Sequence, residues 1–443
     1  MPSRPRRPDA RDGGLDRILE ERGGAAVLLL LAAVAFVVFR PFLLGREVYL
    51  FKDVGGDSLN IYYPNLRLLF GALARGRLPA WSFRQGLGQD LCPFSLNDPF
   101  LLILLPFGRA RLAAGLAWME AAKLLAAGAL FRLYLRSLRL SPTTAAIGAV
   151  LYAFSGFAVV GSAWAVFSTE AVWCAALLYA FERYLRDGSW AFLPPAAAGL
   201  AALQPADLWP YALFFLAYGT ARFADVRGAG PRAWAAFMLR LAGLAALGAA
   251  LGGFAVLPEL RALLLSPRVS AGLAPAGLSA RPLLALIGPG QAAAAVLRLF
   301  SSDMLGAGGA YRGWYNYLEA PLFYCGLTTV LLAPQAFAAL SPRRRRIYAA
   351  LAAVVLLPVV FPYFRYAFWA FALARYRTLS LFVAVVLLFL ALHALDAIER
   401  GETRPRPAAS AAALAGALLL LAAPSLLGGV RVNAVLAAVA AGL

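Results

Sequence analysis

Apolar runs closed by arginines set the pattern of this chain. Ala25–Phe39, Phe382–Leu392 and Ala408–Leu421 hold no charged residue. They and several others extend to the ~20 residues that carry a helix across a bilayer. The alternation predicts an all-α, polytopic transmembrane bundle of about 11–12 spans. These run near 25–44, 112–131, 143–163, 166–181, 191–203, 208–223, 235–257, 320–340, 347–361, 379–398 and 408–427.

Basic residues gather at the ends of these runs: within 4–22, at Arg132, Arg136 and Arg139, at Arg183 and Arg186, at Arg222, Arg227 and Arg232, at Arg343–Arg346, and at Arg400, Arg404 and Arg406. Short loops rich in arginine stay in the cytoplasm. Residues 1–24 therefore read as a cytoplasmic basic segment and 25–443 as one multispanning domain, with outer loops at about 45–111 and 258–319. The first apolar run reads as an uncleaved signal-anchor, since no small-residue cleavage site precedes Phe39-Arg40-Pro41. Pro99–Phe107 is apolar but too short to cross, and predicts a helix lying in the interface. The long outer segments keep their own arginines, among them Arg67, Arg75, Arg77, Arg84, Arg261, Arg268, Arg281 and Arg312, which suit an anionic phosphate ligand.

Composition sharpens this. Of 443 residues, 62% are hydrophobic and 14% charged, and the mean hydropathy is +0.73, against roughly 25% charged in a soluble domain. The net charge of +19 would suit nucleic acid, but the arginines punctuate spans rather than line one face, so no nucleic-acid partner is expected. Three cysteines, Cys92, Cys174 and Cys325, form no disulfide framework. The single histidine, His393, excludes a histidine-rich metal site and reads as a packed or interfacial side chain.

Chemistry collects in one polar stretch, 51–100. Asp53 and Asp57 stand four apart around Gly55-Gly56, which favours a turn. Carboxylates at a membrane surface can take a proton from a sugar hydroxyl or hold a divalent cation, Mg or Mn, against a diphosphate. They can equally cap a helix starting near Ser58. Glu120 and Lys123 can share one helix face as an intramembrane pair, catalytic or merely structural. Arg375 and Arg377, at the outer end of a span, can clamp a lipid phosphate or snorkel to the interface. Tyr311, Trp314, Tyr315 and Tyr317 suit an interfacial aromatic belt or a sugar-stacking surface.

The order Asp57, Tyr62-Tyr63-Pro64, Gly76-Arg77-Leu78-Pro79-Ala80-Trp81, Gly86-Leu87-Gly88 and Asn97-Asp98-Pro99-Phe100 resembles the first outer loop of the bacterial YfhO-like membrane protein family. Tyr152-Ala153-Phe154-Ser155-Gly156, the stretch from Glu170 to Trp173, Leu257-Pro258-Glu259, Ser266-Pro267-Arg268, the segment from Tyr311 to Gly326 and Arg375-Tyr376-Arg377 continue the likeness along nearly the whole chain. That family has further spans, so a chain ending inside an apolar run at Leu443 is expected to be a truncated or short member.

The resemblance implies a GT-C-type glycosyltransferase of the bacterial inner membrane. Such an enzyme moves sugar from a polyprenyl-phosphate carrier to an envelope polymer, lipid or protein acceptor on the outer face. Carried over by position, Asp57 is the base and Glu170 a second acid. Asp53 is the partner of Asp57, although it lies outside the family pattern. Arg375 and Arg377 would hold the phosphate, and Tyr62, Tyr63 and Trp81 the substrate. A lipid or polysaccharide transporter, or a non-catalytic protein of envelope assembly, would also explain spans and basic loops. A transporter, however, places its ionisable groups at mid-membrane.

Overall fold

The computed structural model describes residues 23–51, 56–77, 81–84, 87–90, 97–265, 282–372, 374–422 and 428–432. Within them the chain is a helical membrane bundle. Five helices are long and apolar enough to cross a bilayer, and a sixth span arises if one sharply bent pair counts as one. The helices are α1 (Gly23–Leu43), α2 (Tyr63–Leu73), α3 (Leu112–Ser137), α4 (Pro142–Ala153), the short α5 (Gly156–Val159), α6 (Val166–Asp187), α7 (Leu193–Leu203) and α8 (Leu208–Val226). They continue with α9 (Pro231–Leu251), α10 (Gly253–Leu265), α11 (Pro289–Phe300), α12 (Leu327–Ala339), α13 (Pro342–Val360), α14 (Pro362–Phe368), α15 (Arg377–Glu399) and α16 (Pro407–Ala422). Two two-residue strands, β1 (Trp81–Ser82) and β2 (Gln89–Asp90), pair antiparallel in the loop between α2 and α3.

The core is built on α3 and α15. α3 packs against α1, α4 and α6, while α15 packs against α12, α4 and α13. Small residues let these helices close up: a methyl group on Gly128 would press into Leu31, and one on Gly148 into Leu135 and Leu392.

Several predicted spans are broken, each for a local reason. The 143–163 run starts with Ser141, whose hydroxyl accepts from Thr144 N at 3.0 Å. It breaks at Phe154, where Ser155 caps the short α5 and Gly156 N donates to Tyr324 O at 2.7 Å. The 235–257 run breaks at Gly252-Gly253 between α9 and α10. In the 320–340 run only Leu327–Ala339 is helical. Ahead of it, Gly326 turns with φ +95°, and Leu322 N donates to Ser380 Oγ on α15.

The Arg343–Arg346 cluster lies in the first turns of α13 rather than in a loop. α13 meets α14 at an angle of 101°. The buried Arg365 guanidinium holds that corner, donating to the carbonyls of Pro358, Val359 and Ala374 and to the Tyr376 hydroxyl. Carbonyls freed at a break need such donors, because no water serves them in an apolar bundle.

The charged helices α6 and α8, predicted as spans, are long enough but tuck their charges inward. Glu182 accepts from Arg222 Nε at 2.6 Å and Nη2 at 2.9 Å, and from the Tyr218 hydroxyl at 2.9 Å. Arg222 Nη1 also donates to Asp225 at 2.9 Å and to the Tyr348 hydroxyl at 2.6 Å. This network ties α6, α8 and α13 together beneath the core.

His393 is packed, as its position predicts: its ring lies 4.3 Å from that of Phe389. Cys174 and Cys325 are buried free thiols.

Candidate functional site

One end of the bundle gathers acids and arginines from five separated segments. Glu170, one turn into α6, is fully buried. Its Oε1 accepts from the Tyr211 hydroxyl at 3.3 Å, and its Oε2 has no hydrogen-bond partner among the described residues. Asp207, in the turn between α7 and α8, is buried opposite it, and the two negative charges repel. The Thr378 hydroxyl donates to Asp207 Oδ2 at 3.2 Å. Burial pushes the Asp207 carboxyl up to about 7, against the pull of that hydrogen bond and of the Arg377 charge.

Arg377 and Arg375 flank this pair and share one acid. Arg375 Nη1 meets Glu319 Oε2 and Arg377 Nη2 meets Glu319 Oε1, each at 2.5 Å. Asn316 donates to the same carboxylate at 2.9 Å. The guanidinium of Arg375 lies 3.9 Å from the Tyr315 ring centre, and that of Arg377 lies 5.3 Å from Trp164. These arginines are thus anchored rather than snorkelling freely, and two cations against one anion leave a net positive charge.

The expected aromatic belt is mostly interior. Tyr311 and Tyr317 are buried in a cluster with Ala293, Leu297 and Leu305, Trp314 packs against it, and of the four only Tyr315 is well exposed.

The long loop between α1 and α3 closes onto the same region. Asn97 donates to the carbonyls of Ala202 and Leu203 at the end of α7. Asp98 reads from sequence as a simple cap, and it does accept from Phe100 N at 3.0 Å. Its other oxygen reaches inward, taking the Thr169 hydroxyl at 2.8 Å and the Lys123 ammonium at 3.0 Å. Lys123 also donates to Glu120 and to Ala165 O, each at 2.9 Å, and Ser168 donates to the second oxygen of Glu120. The predicted Glu120–Lys123 pair is therefore part of a wider group that pins the loop to α3 and α6.

Asp57 sits half-buried just ahead of a π-helical turn, Ser58–Tyr62, that leads into α2. Gly56, with φ +67°, makes the turn the two glycines predict. The Asp57 carboxylate makes no cap hydrogen bond to that helix. The Ser58 hydroxyl donates to Ala163 O at 2.6 Å, which sets the turn against the Trp164 ring that faces Arg377. Asp53 lies outside the described residues.

Tyr62 is partly exposed and Tyr63 half-buried, with Arg67 5.9 Å from the Tyr63 ring centre. Trp81 is 53% exposed on the β1–β2 hairpin, its indole laid over Gly88. Glu170, Arg375 and Arg377 thus come together around Asp207 and Glu319, and Asp57 abuts their wall. Trp81 belongs to a separate edge.

Asp207 and Glu319 escaped the sequence reading. Asp207 had one signal, an acid in a turn between two apolar runs. Glu319 had none beyond its place in an aromatic segment.

Below this cluster, an apolar groove of about 800 Å³ opens between α8, α13, α14 and α15. Trp209, Phe364, Phe368 and Leu379 line the end beside Asp207 and Thr378, and Ala224, Trp234 and Ile347 the opposite end. From Trp209 to Ala224 it runs about 22 Å at 1.5 Å per helical residue.

A divalent cation finds a poor set of donors here. Among the described residues no group of three His, Cys, Asp or Glu side chains converges on a cation site.

No curated protein and no solved structure matches the chain. The sequence profile described as bacterial membrane protein YfhO matches residues 26–427, nearly the whole length, so the chain belongs to that family of membrane proteins.

Proposed function

We propose that the protein transfers a sugar from a polyprenyl-phosphate carrier to an envelope acceptor at the outer face of the bacterial inner membrane. The observation that carries this reading is the pairing of the lipid-length groove with the acid and arginine cluster at its outer end. An isoprenoid chain suits the groove, whose lining is almost wholly apolar. The carrier phosphate suits the Arg375–Arg377 pair, which Glu319 holds in place without cancelling its charge. Asp57, uncommitted to capping, takes the proton of the acceptor hydroxyl. Glu170 and Asp207 form a buried acid pair that holds a proton near neutral pH and so can hydrogen-bond a substrate oxygen.

A transporter would leave this outer asymmetry without a use. The loop acids and the tethered arginines all gather at one end of the bundle.

The test is Asp57→Asn in proteoliposomes supplied with polyprenyl-phosphate-linked hexoses. Transfer should fall roughly 10²–10⁴-fold, the usual contribution of a general base, with an unchanged melting midpoint. A variant that transfers normally, or one that loses folded protein instead of rate, refutes the assignment. Ala350→Phe, which blocks the groove, should raise the apparent KM for the carrier while Asp57→Asn leaves it unchanged.

A further inference from the structure

A second positively charged pocket lies on the outer loop, away from the groove. Its volume is about 610 Å³, and Arg67, Arg75, Arg84, Arg109, Asn60 and Asn65 contribute its polar lining. The four arginines come from different elements. Arg67 stands on α2 and Arg75 in the turn after it, Arg84 on the β1–β2 hairpin, and Arg109 between the Pro99–Phe107 3₁₀ helix and α3.

Among the described residues no carboxylate lines the pocket, and none of the four guanidinium groups forms an ion pair. Arg375 and Arg377, by contrast, share the Glu319 carboxylate. Four like charges around one cavity repel unless an anion joins them, and guanidinium groups favour phosphate through paired N–H donors. Gly71 matters for this arrangement. The Arg109 side chain lies across it, 3.5 Å from where a β-carbon would stand, which brings that guanidinium over the face of α2. Asn65 Oδ1 is buried and has no hydrogen-bond partner among the described residues. It can accept from a hydroxyl or a protonated oxygen on the ligand.

The geometry points to a binding site for a phosphate-bearing anion, formed by Arg67, Arg75, Arg84 and Arg109 and distinct from the Arg375–Arg377 pair. Ile61, exposed on the adjoining turn, and Leu68 add apolar side chains to its lining. The phosphate can therefore belong to a phospholipid headgroup or to a soluble phosphate compound. The site stands whether or not sugar is transferred, so its failure and the failure of the transferase reading are separate results.

Binding would be measured on the purified full chain in uncharged detergent, with inorganic pyrophosphate as titrant. In parallel, lipid enrichment would be measured in nanodiscs of mixed phosphatidylglycerol and phosphatidylcholine. Saturable pyrophosphate binding that weakens with salt, or selective retention of phosphatidylglycerol, is the expected result, and which of the two occurs identifies the source of the phosphate. Arg67→Gln with Arg109→Gln should weaken either by roughly ten- to a hundredfold. Arg77→Gln, the same loss of charge on an arginine outside the pocket, should leave it unchanged. Absence of both kinds of binding, or equal loss in Arg77→Gln and the double variant, overturns the site. These are exposed side chains, so matching melting midpoints are expected and would be checked first.

Discussion

Lys123→Met is the sharpest test of how the loop between α1 and α3 is attached. Lys123 is fully buried, and its ammonium contacts Asp98 at 3.0 Å, Glu120 at 2.9 Å and Ala165 O at 2.9 Å. Methionine keeps the length and most of the volume of the side chain while removing the charge. Asp98 and Glu120, whose side chains are 12% and 2% exposed, would then face each other without a counter-ion. Breaking a buried pair by removing one partner costs about 3–5 kcal/mol, and here two carboxylates lose the same partner. The assay is the thermal midpoint in detergent, followed by tryptophan fluorescence, together with protease cleavage in the 78–96 segment. The variant should melt several degrees earlier, with faster loop cleavage. Adding Glu120→Gln should restore part of the loss, because one of the two stranded charges disappears. If Lys123→Met melts and resists protease like the parent, or if Glu120→Gln deepens the defect, the ion group does not hold the loop.

Further outcomes follow from other features. Asp207 rises from 3.8 to about 7 on folding, so its contribution to stability is whole below about pH 4 and is lost as pH rises toward 7. The full loss is ~4 kcal/mol at 1.36 kcal/mol per tenfold, and Asp207→Asn should therefore melt later than the parent at pH 8, with the gap closing near pH 4. A constant gap across that range would place the titration elsewhere. Gly88 has φ +118°, and a β-carbon there would stand 2.6 Å from Trp81 Nε1. Gly88→Ala should displace that indole at a cost of about 1–3 kcal/mol, read as faster proteolysis around the hairpin, and unaltered cleavage would refute the contact. A reporter inserted at Ser341, between α12 and α13, should read cytoplasmic and one after Gly88 external, and the reverse pattern would invert every placement on the outer side.

The sequence made the bundle legible because hydrophobic length needs no tertiary context. Its breaks were hidden for the opposite reason. Nothing in the run from Ala320 to Leu340 announces that Ser380, far along the chain, will take the Leu322 amide and favour an extended start. Among the site residues, Glu170 was found through a family likeness, whereas Asp207 and Glu319 become prominent only when α6, α8 and α15 converge. The Asp98 carboxylate shows the same limit. Its capping role is local and readable, but its bond to Lys123 depends on a loop folding back onto α3. Arg375 and Arg377 were recognisable as an outer pair, yet their shared counter-ion comes from a segment more than fifty residues earlier.

The buried fork between Glu182 and Arg222 bears on which way material can pass. A carrier that shuttles its cargo must part its helices first on one face of the membrane and then on the other. Parting α6 from α8 at the end away from the acid and arginine cluster would strip the buried Glu182 of two guanidinium bonds and a tyrosine bond at once. That end behaves as a closed floor.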